Sequence, residues 1–202
     1  MNLENSYWYF RGAIKPEICD RIIAMGKAKC TKLGQVNQKS PKELEELSQE
    51  ELDDLLKVRN SHVSWLDEPW IFNILRPLIN KANEDAGWNF QWDTSESAQF
   101  TEYKPGQFYD WHPDMATNTY TDGSLAGRYR KLSTTLLLND PDEFEGGTLE
   151  FHHNRDQLTV CEQLDMKGSL VVFPSFVYHK VNPVTSGVRY SLVTWNCGFP
   201  FR

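Results

Sequence analysis

Two histidines, one aspartate and one arginine carry the clearest chemistry in this chain. His112-Pro113-Asp114 holds an imidazole and a carboxylate two residues apart. On an extended segment residues i and i+2 face the same way, so both groups can converge on one ion. The pair alone is weak, because such a spacing arises easily by chance and a surface turn would use it equally well. A second run supplies partners: Phe173-Pro174-Ser175-Phe176-Val177-Tyr178-His179, then Lys180 to Gly187, then Val188-Arg189-Tyr190-Ser191. His179 stands in an apolar, strand-like run where a protonated imidazole is costly. A turn centred on Val184 sets His179 opposite Arg189, with Cβ atoms about 4.5–5.5 Å apart. A satisfied core histidine is the ordinary fate of such a residue, but a neighbouring guanidinium would repel its protonated form.

Two imidazoles and one carboxylate leave about three positions of an octahedral ion open, an arrangement that suits non-haem Fe(II). A keto acid with a second carboxylate could chelate the ion at one end and meet Arg189 at the other. Arginine matches a carboxylate with two parallel hydrogen bonds. O2 would take the third position. The residues therefore point to 2-oxoglutarate as co-substrate. Other candidates are weaker. His152 and His153 are adjacent, so on a strand they point to opposite faces and cannot easily share an ion. His62 reads as ordinary surface or core. Trp65, Tyr109, Trp111 and Trp195 could line a substrate groove, although aromatics near strands usually fill cores.

The elements that must position these side chains follow from periodicity and turn signals. From residue 97 onward eight β-type runs appear: Ala98–Tyr103, Gln107–Trp111, Lys131–Asn139, Thr148–His152, Leu158–Gln163, Ser169–Phe173, Val177–Val181 and Val188–Asn196. Turn residues such as Lys104-Pro105-Gly106 and Glu145-Gly146-Gly147 separate them. Before residue 97 helical patterns dominate. Tyr7–Ile14 reads as a strand, and Pro16 opens a helix with Ile18, Ile22, Ile23 and Met25 on its apolar side. A further helix starts near Glu68-Pro69, and Pro77 should kink or shorten it. Between them, residues 31–39 read as a loop, and Ser40-Pro41-Lys42-Glu43 resembles a capping box before a leucine-spaced helix. Residues 31–60 are either a solvated amphipathic stretch or a flap beside the site. The predicted fold is α+β: a double-stranded β-helix (jelly roll) over 97–202, with N-terminal helices from 1–96 packed on one sheet, in a single domain of residues 1–202.

The whole chain agrees with this reading. Its 202 residues suit one domain, and a net charge of −7 argues against bulk nucleic-acid binding, which needs a basic surface. No apolar run approaches the roughly 18 residues of a membrane span. The start, MNLENSYWYFRG, lacks the features of a secretory signal. Cys19, Cys30, Cys161 and Cys197 form no C-x-x-C, so a reduced, cytoplasmic setting without a zinc cluster is expected.

Tyr103-Lys104-Pro105-Gly106-Gln107-Phe108-Tyr109-Asp110-Trp111-His112-Pro113-Asp114 resembles the iron-binding segment of the prolyl 4-hydroxylase-like branch of Fe(II)/2-oxoglutarate-dependent dioxygenases. Glu145-Gly146-Gly147-Thr148-Leu149-Glu150-Phe151 resembles the G-G-x-L strand of that branch, and His179 to Arg189 its distal histidine and arginine hairpin. The spacing is similar to that of the bacterial and phage PKHD-type hydroxylases, as is Arg59-x-Ser61 with Trp65. The resemblance runs from about Tyr7 to Phe199. It implies that His112, Asp114 and His179 ligate Fe(II). Arg189 would bind the distal carboxylate of 2-oxoglutarate, Tyr103 would donate its hydroxyl to it, Leu149 would pack against the co-substrate chain and Ser191 could add a hydrogen bond. Arg59, Trp65, Tyr109 and Trp195 are the substrate-side candidates. In several relatives a Tyr or Thr on a neighbouring strand assists the arginine; the matching places here, Leu137 and Val193, are apolar. The implied reaction hydroxylates an unactivated C–H bond and yields succinate and CO2, with ascorbate a candidate accessory. A prolyl residue of a peptide or protein is the first substrate reading, a free amino acid or small metabolite the second, and a non-catalytic jelly-roll binding module the alternative to both.

Overall fold

The structure, a computed structural model, describes residues 3–29, 32–33, 48, 56–154 and 157–201. The helix expected from Ser40, most of the flap region 31–60, and Cys30 lie outside the described residues. Helix α1 (Pro16–Ala28) starts where Pro16 needs no N–H partner, and it buries Cys19, Ile22 and Gly26 along one side. Residue 26 must be glycine, because a Cβ there would stand 2.3 Å from the Phe100 ring. Helix α2 (Pro69–Asp85) buries Ile71, Leu75, Ile79 and Ala82. Pro77 does not limit it: the residue lies on the exposed side, where water can bond the carbonyl that proline leaves unpaired.

Besides the strand expected within Tyr7–Ile14, here shortened to Trp8–Phe10, more strands precede residue 97 than the periodicity suggests. Strands β1 (Trp8–Phe10), β2 (Lys32–Leu33), β3 (Arg59–Asn60), β4 (His62–Leu66) and β5 (Thr94–Ser95) all precede residue 97. Then follow β6 (Ala98–Tyr103), β7 (Phe108–His112), β8 (Tyr129–Leu137), β9 (Phe144–Gly146) and β10 (Leu149–Asn154). The last are β11 (Gln157–Val160), β12 (Leu170–Pro174), β13 (Tyr178–Val181), β14 (Val184–Gly187) and β15 (Arg189–Gly198). One sheet runs β1-β12-β8-β15-β6-β4-β2, with β5 also on β15; the other runs β11-β10-β13-β7-β3; β14 pairs with β9. All the pairings are antiparallel. Thus β3 and β4, two short polar-rich strands, extend both sheets from the half of the chain expected to be helical.

Two cores result. Phe100, Leu132, Leu136 and Leu192 meet Ile22, Ile71, Leu75 and Ile79 on the helix-covered face of the larger sheet. Tyr103, Leu149, Phe151, Val171, Phe173 and Val181 fill part of the space between the two sheets. The hairpin predicted between His179 and Arg189 does not form. Strand β13 belongs to the smaller sheet and β15 to the larger, while β14 turns aside to β9. The backbone of Val184 is held instead by the 106–107 turn, through Gly106 N–H to Val184 O (2.8 Å) and Val184 N–H to Gln107 O (3.0 Å). His179 lies opposite His112, and Arg189 opposite Tyr103. The two residues therefore sit on different sheets of the sandwich, not side by side on one ribbon.

Candidate active site

A local irregularity aims the first ligand candidate. Between the pairs His179/His112 and Val181/Tyr109, one residue of β13 (Lys180) opposes two of β7 (Asp110 and Trp111). The extra residue of such a bulge shifts the alternation, so Tyr109 and His112 share a face. Their rings stack with centroids 3.4 Å apart. Trp111 turns the other way, edge-on to His152 at 5.7 Å and 5.0 Å from the Lys180 ammonium, on the outer face of the smaller sheet. It therefore does not join the groove residues. Asp114 follows β7 and is pinned by its backbone: its N–H and that of Met115 both donate to Ser175 O, at 2.8 and 2.9 Å.

Asp114 Oδ1 lies 3.7 Å from His112 Nε2, and Asp114 Oδ2 lies 3.6 Å from His179 Nε2. Ligand atoms of the three residues fall within 4.8 Å of one another. On the far side of each ring, His112 Nδ1 is 2.7 Å from Asp110 O and His179 Nδ1 is 3.1 Å from Val177 O. A carbonyl can only accept, so Nδ1 carries the proton in both rings and Nε2 presents a lone pair. Burial, then the neighbouring His179, push the His112 pKa down to about 3, which keeps this imidazole neutral. Burial alone would raise Asp114, but His179, His112 and Arg130 outweigh it and hold the carboxyl below its usual range. Asp114 Oδ2 is buried and accepts no hydrogen bond. Three electron-pair donors thus converge, and Asp114 Oδ2 has no hydrogen-bond donor among the described residues, an arrangement that a bound cation would satisfy. Two histidines and one carboxylate are the donor set of a non-haem Fe(II) site.

Arg189 is only 2% exposed and pairs with no carboxylate among the described residues. Its Nη1 donates to Ser191 Oγ at 3.3 Å, and its Cζ lies 5.7 Å from the Tyr103 ring centre. Burial lowers its pKa, with Tyr103 opposing. Gly147 makes its path: a Cβ there would come within 2.7 Å of Arg189 Cδ. Leu149, two residues on, is buried in the same inter-sheet cluster as Tyr103. Leu137 is apolar and lies opposite Ser191. A buried, acid-free guanidinium between the sheets is suited to receive a carboxylate from outside the chain.

Among the substrate-side candidates, Arg59 is buried with its Cζ 4.5 Å from the Tyr109 ring, so it backs the Tyr109–His112 stack. Trp195 is buried, and its Nε1 has no hydrogen-bond partner. Its ring lies 6.0 Å from that of Trp65, which is 43% exposed. The arrangement also contains residues that motif spacing does not announce. The Arg130 guanidinium lies 3.9 Å over Trp195 and holds both Glu96 oxygens at 2.6 Å, while its Nη1 is 3.5 Å from Asp114 O. Tyr120 donates to Glu96 at 2.6 Å. On the inner face, Gln99, Thr101, Ser133 and Thr135 are buried polar residues. Their alternation with Phe100, Leu132 and Leu136 was the sequence signal that could have found them.

Residues 98–197 match the 2OG-Fe(II) oxygenase superfamily, and together with this fold and triad they show that the chain belongs to it; its members use Fe(II), 2-oxoglutarate and O2. Among curated proteins, the chain is 39% identical over 96 residues to a PKHD-type hydroxylase of Psychrobacter sp. (strain PRwf-1), a match covering 48% of this chain and 36% of that relative. Among solved structures, it is similar to the viral collagen prolyl hydroxylase of Paramecium bursaria Chlorella virus-1, with TM-score 0.67, 19% identity, and 96% of this chain and 97% of the other covered. It is also similar to a Trichoplax adhaerens prolyl hydroxylase in complex with a hypoxia inducible factor peptide fragment, with TM-score 0.68, 18% identity, and 96% and 84% covered. At these identities the solved structures speak for the jelly-roll fold.

Proposed function

We propose that the protein is an Fe(II)- and 2-oxoglutarate-dependent dioxygenase that hydroxylates an unactivated C–H bond, with a prolyl residue of a peptide or protein as substrate. The observation that carries this reading is the convergence of His112, Asp114 and His179 within 4.8 Å of one another together with the buried guanidinium of Arg189, which pairs with no carboxylate among the described residues. In the balanced reaction, substrate C–H, 2-oxoglutarate and O2 give substrate C–OH, succinate and CO2. Bound Fe(II) supplies the redox chemistry that couples decarboxylation to C–H oxidation.

The chain's own residues set the geometry. His112 Nε2, His179 Nε2 and a carboxylate oxygen of Asp114 would hold Fe(II). The Nδ1–H bonds to Asp110 O and Val177 O fix both rings and their tautomers. Arg189, with Tyr103 and Ser191 beside it, clamps the distal carboxylate and so orients the keto end toward the metal. Leu149 excludes water from the co-substrate chain. Trp195 and Trp65 border the substrate side, with Tyr109 and Arg59 backing His112. A peptide substrate is supported by the exposure of Trp65 beside this site and by the similarity to prolyl hydroxylases. The pairing of β3 and β4 with strands of the C-terminal half supports a single domain across residues 1–202.

The test is turnover of a panel of proline-containing peptides with iron, ascorbate and 2-oxoglutarate, with oxygen incorporation read by mass spectrometry and succinate read separately. An oxygenated peptide is expected. Succinate without any oxygenated peptide would move the substrate to a free amino acid or small metabolite. Iron binding without succinate under any condition would leave a binding module. His112→Ala should abolish turnover and weaken metal binding, measured with Mn(II) as a redox-inert probe; a fully active variant would refute the metal assignment.

A further inference from the structure

A second cleft adjoins the site and has no part in the chemistry above. Its volume is about 430 Å3, and its walls include Trp65, Phe72 and Leu125, with the carboxylates of Asp67 and Glu96 and three serines. It opens next to the substrate side: Trp65 neighbours Trp195, and Glu96 holds Arg130, whose Nη1 reaches toward Asp114 O. Glu96 is already neutralised by Arg130. Asp67 is exposed and forms no ion pair among the described residues. Among the described residues, no Lys or Arg lines the cleft.

We propose that this cleft is a flanking subsite for a cationic side chain, lysine or arginine, of the peptide whose nearby residue is hydroxylated; the inference rests on the peptide-hydroxylase reading above. An exposed indole face with a free carboxylate beside it attracts a cation through both ring and charge. An acidic side chain would meet the like charge of Asp67, and a purely apolar one would strip water from Asp67 and the serines without replacing it. The net charge of −7 draws cationic partners in the same direction.

The experiment uses proline-containing peptides that differ only in their flanking residues, with Lys, Arg, Ala or Glu on either side of the proline. Binding is measured by calorimetry and oxygenation by mass spectrometry, for the full chain and for Asp67→Lys. Lys and Arg peptides should bind roughly tenfold tighter than Glu peptides, and Asp67→Lys should reverse the order. Equal affinities, or a preference that Asp67→Lys leaves intact, would overturn the subsite even if the peptides are hydroxylated. Charge-selective binding that Asp67→Lys reverses, with no oxygenated product, would uphold the cationic subsite and overturn the prolyl reading. Failure of every peptide to bind would overturn both.

Discussion

On strands β6 and β8, Ala98, Phe100, Leu132 and Leu136 turn toward the helices, while Gln99, Thr101, Ser133 and Thr135 turn toward the second sheet. The same backbone thus carries two faces made by alternate residues. The helix face is apolar and closed by α1 and α2, and burial there stabilises the fold at roughly 25 cal/mol per Å2 removed from water. The inner face is buried too, but polar. Its groups pair locally, as Gln99 with Thr101 (3.0 Å), Ser133 with Ser175 (2.8 Å) and Arg189 with Ser191 (3.3 Å). Buried polar surface adds little to stability unless it is matched, and at Arg189 and Asp114 the match must come from outside the chain. One face holds the sheet, and the other is kept ready for ligands at some cost in stability.

This contrast is sharpest for substitutions of similar burial on opposite faces. Phe100→Ala should cost about 3–5 kcal/mol of unfolding free energy, because it empties the contact with α1 at Gly26. Urea denaturation measures it, and a loss under about 1 kcal/mol would break the distinction between the faces. Arg189→Leu should weaken 2-oxoglutarate binding by about 2–5 kcal/mol, seen as a raised KM for the co-substrate. Its unfolding midpoint should hold or rise, because a buried charge without an acidic partner is removed. A stability loss matching that of Phe100→Ala would place Arg189 among the structural residues instead.

Gly147→Ala falls between these. The new Cβ would come within 2.7 Å of Arg189 Cδ at a backbone φ of +63°, so a loss of about 1–2 kcal/mol should accompany weaker co-substrate binding. A variant that loses stability but keeps its KM for 2-oxoglutarate would show that the glycine serves the turn alone. The smallest effect concerns the thiols. Burial pushes Cys19, on the helix side, up to about 11 and Cys161, between the sheets, up to about 12. A folded pKa above the unfolded thiol value of about 8.5 favours the protonated native state, so this contribution is complete below that value and is lost as pH rises toward 11–12. Both thiols should resist alkylation at pH 8 until urea unfolds the chain; rapid labelling of either in the native protein would contradict its burial.

How far the site was legible depended on whether its information was local. His112, Asp114, His179 and Arg189 stood out by residue type and order, and eight of the ten described strands after residue 97 showed by alternation between turn signals, β9 and β14 being the exceptions. Residues 59–66 gave no strand signal of that kind, since their pairing depends on partners some forty residues away in β6 and β7. The outward turn of Trp111 was hidden for a related reason: one extra residue in β7 changes which side chains face the metal, and a bulge is defined only by the partner strand. Arg130 and Glu96 carry no motif and meet only because β8 lies alongside β15 while Glu96 precedes β6.

The donor set, its order along the chain and the α+β jelly-roll class are all written locally in the residues, because ligand chemistry and strand periodicity are properties of neighbouring residues. That His179 and Arg189 stand on different sheets, that both imidazoles present Nε2, and that Asp114 Oδ2 is buried without a hydrogen-bond partner among the described residues emerge from the packed fold alone. Those facts depend on distances between segments far apart in the chain, which the packing of the two sheets sets and local spacing does not encode.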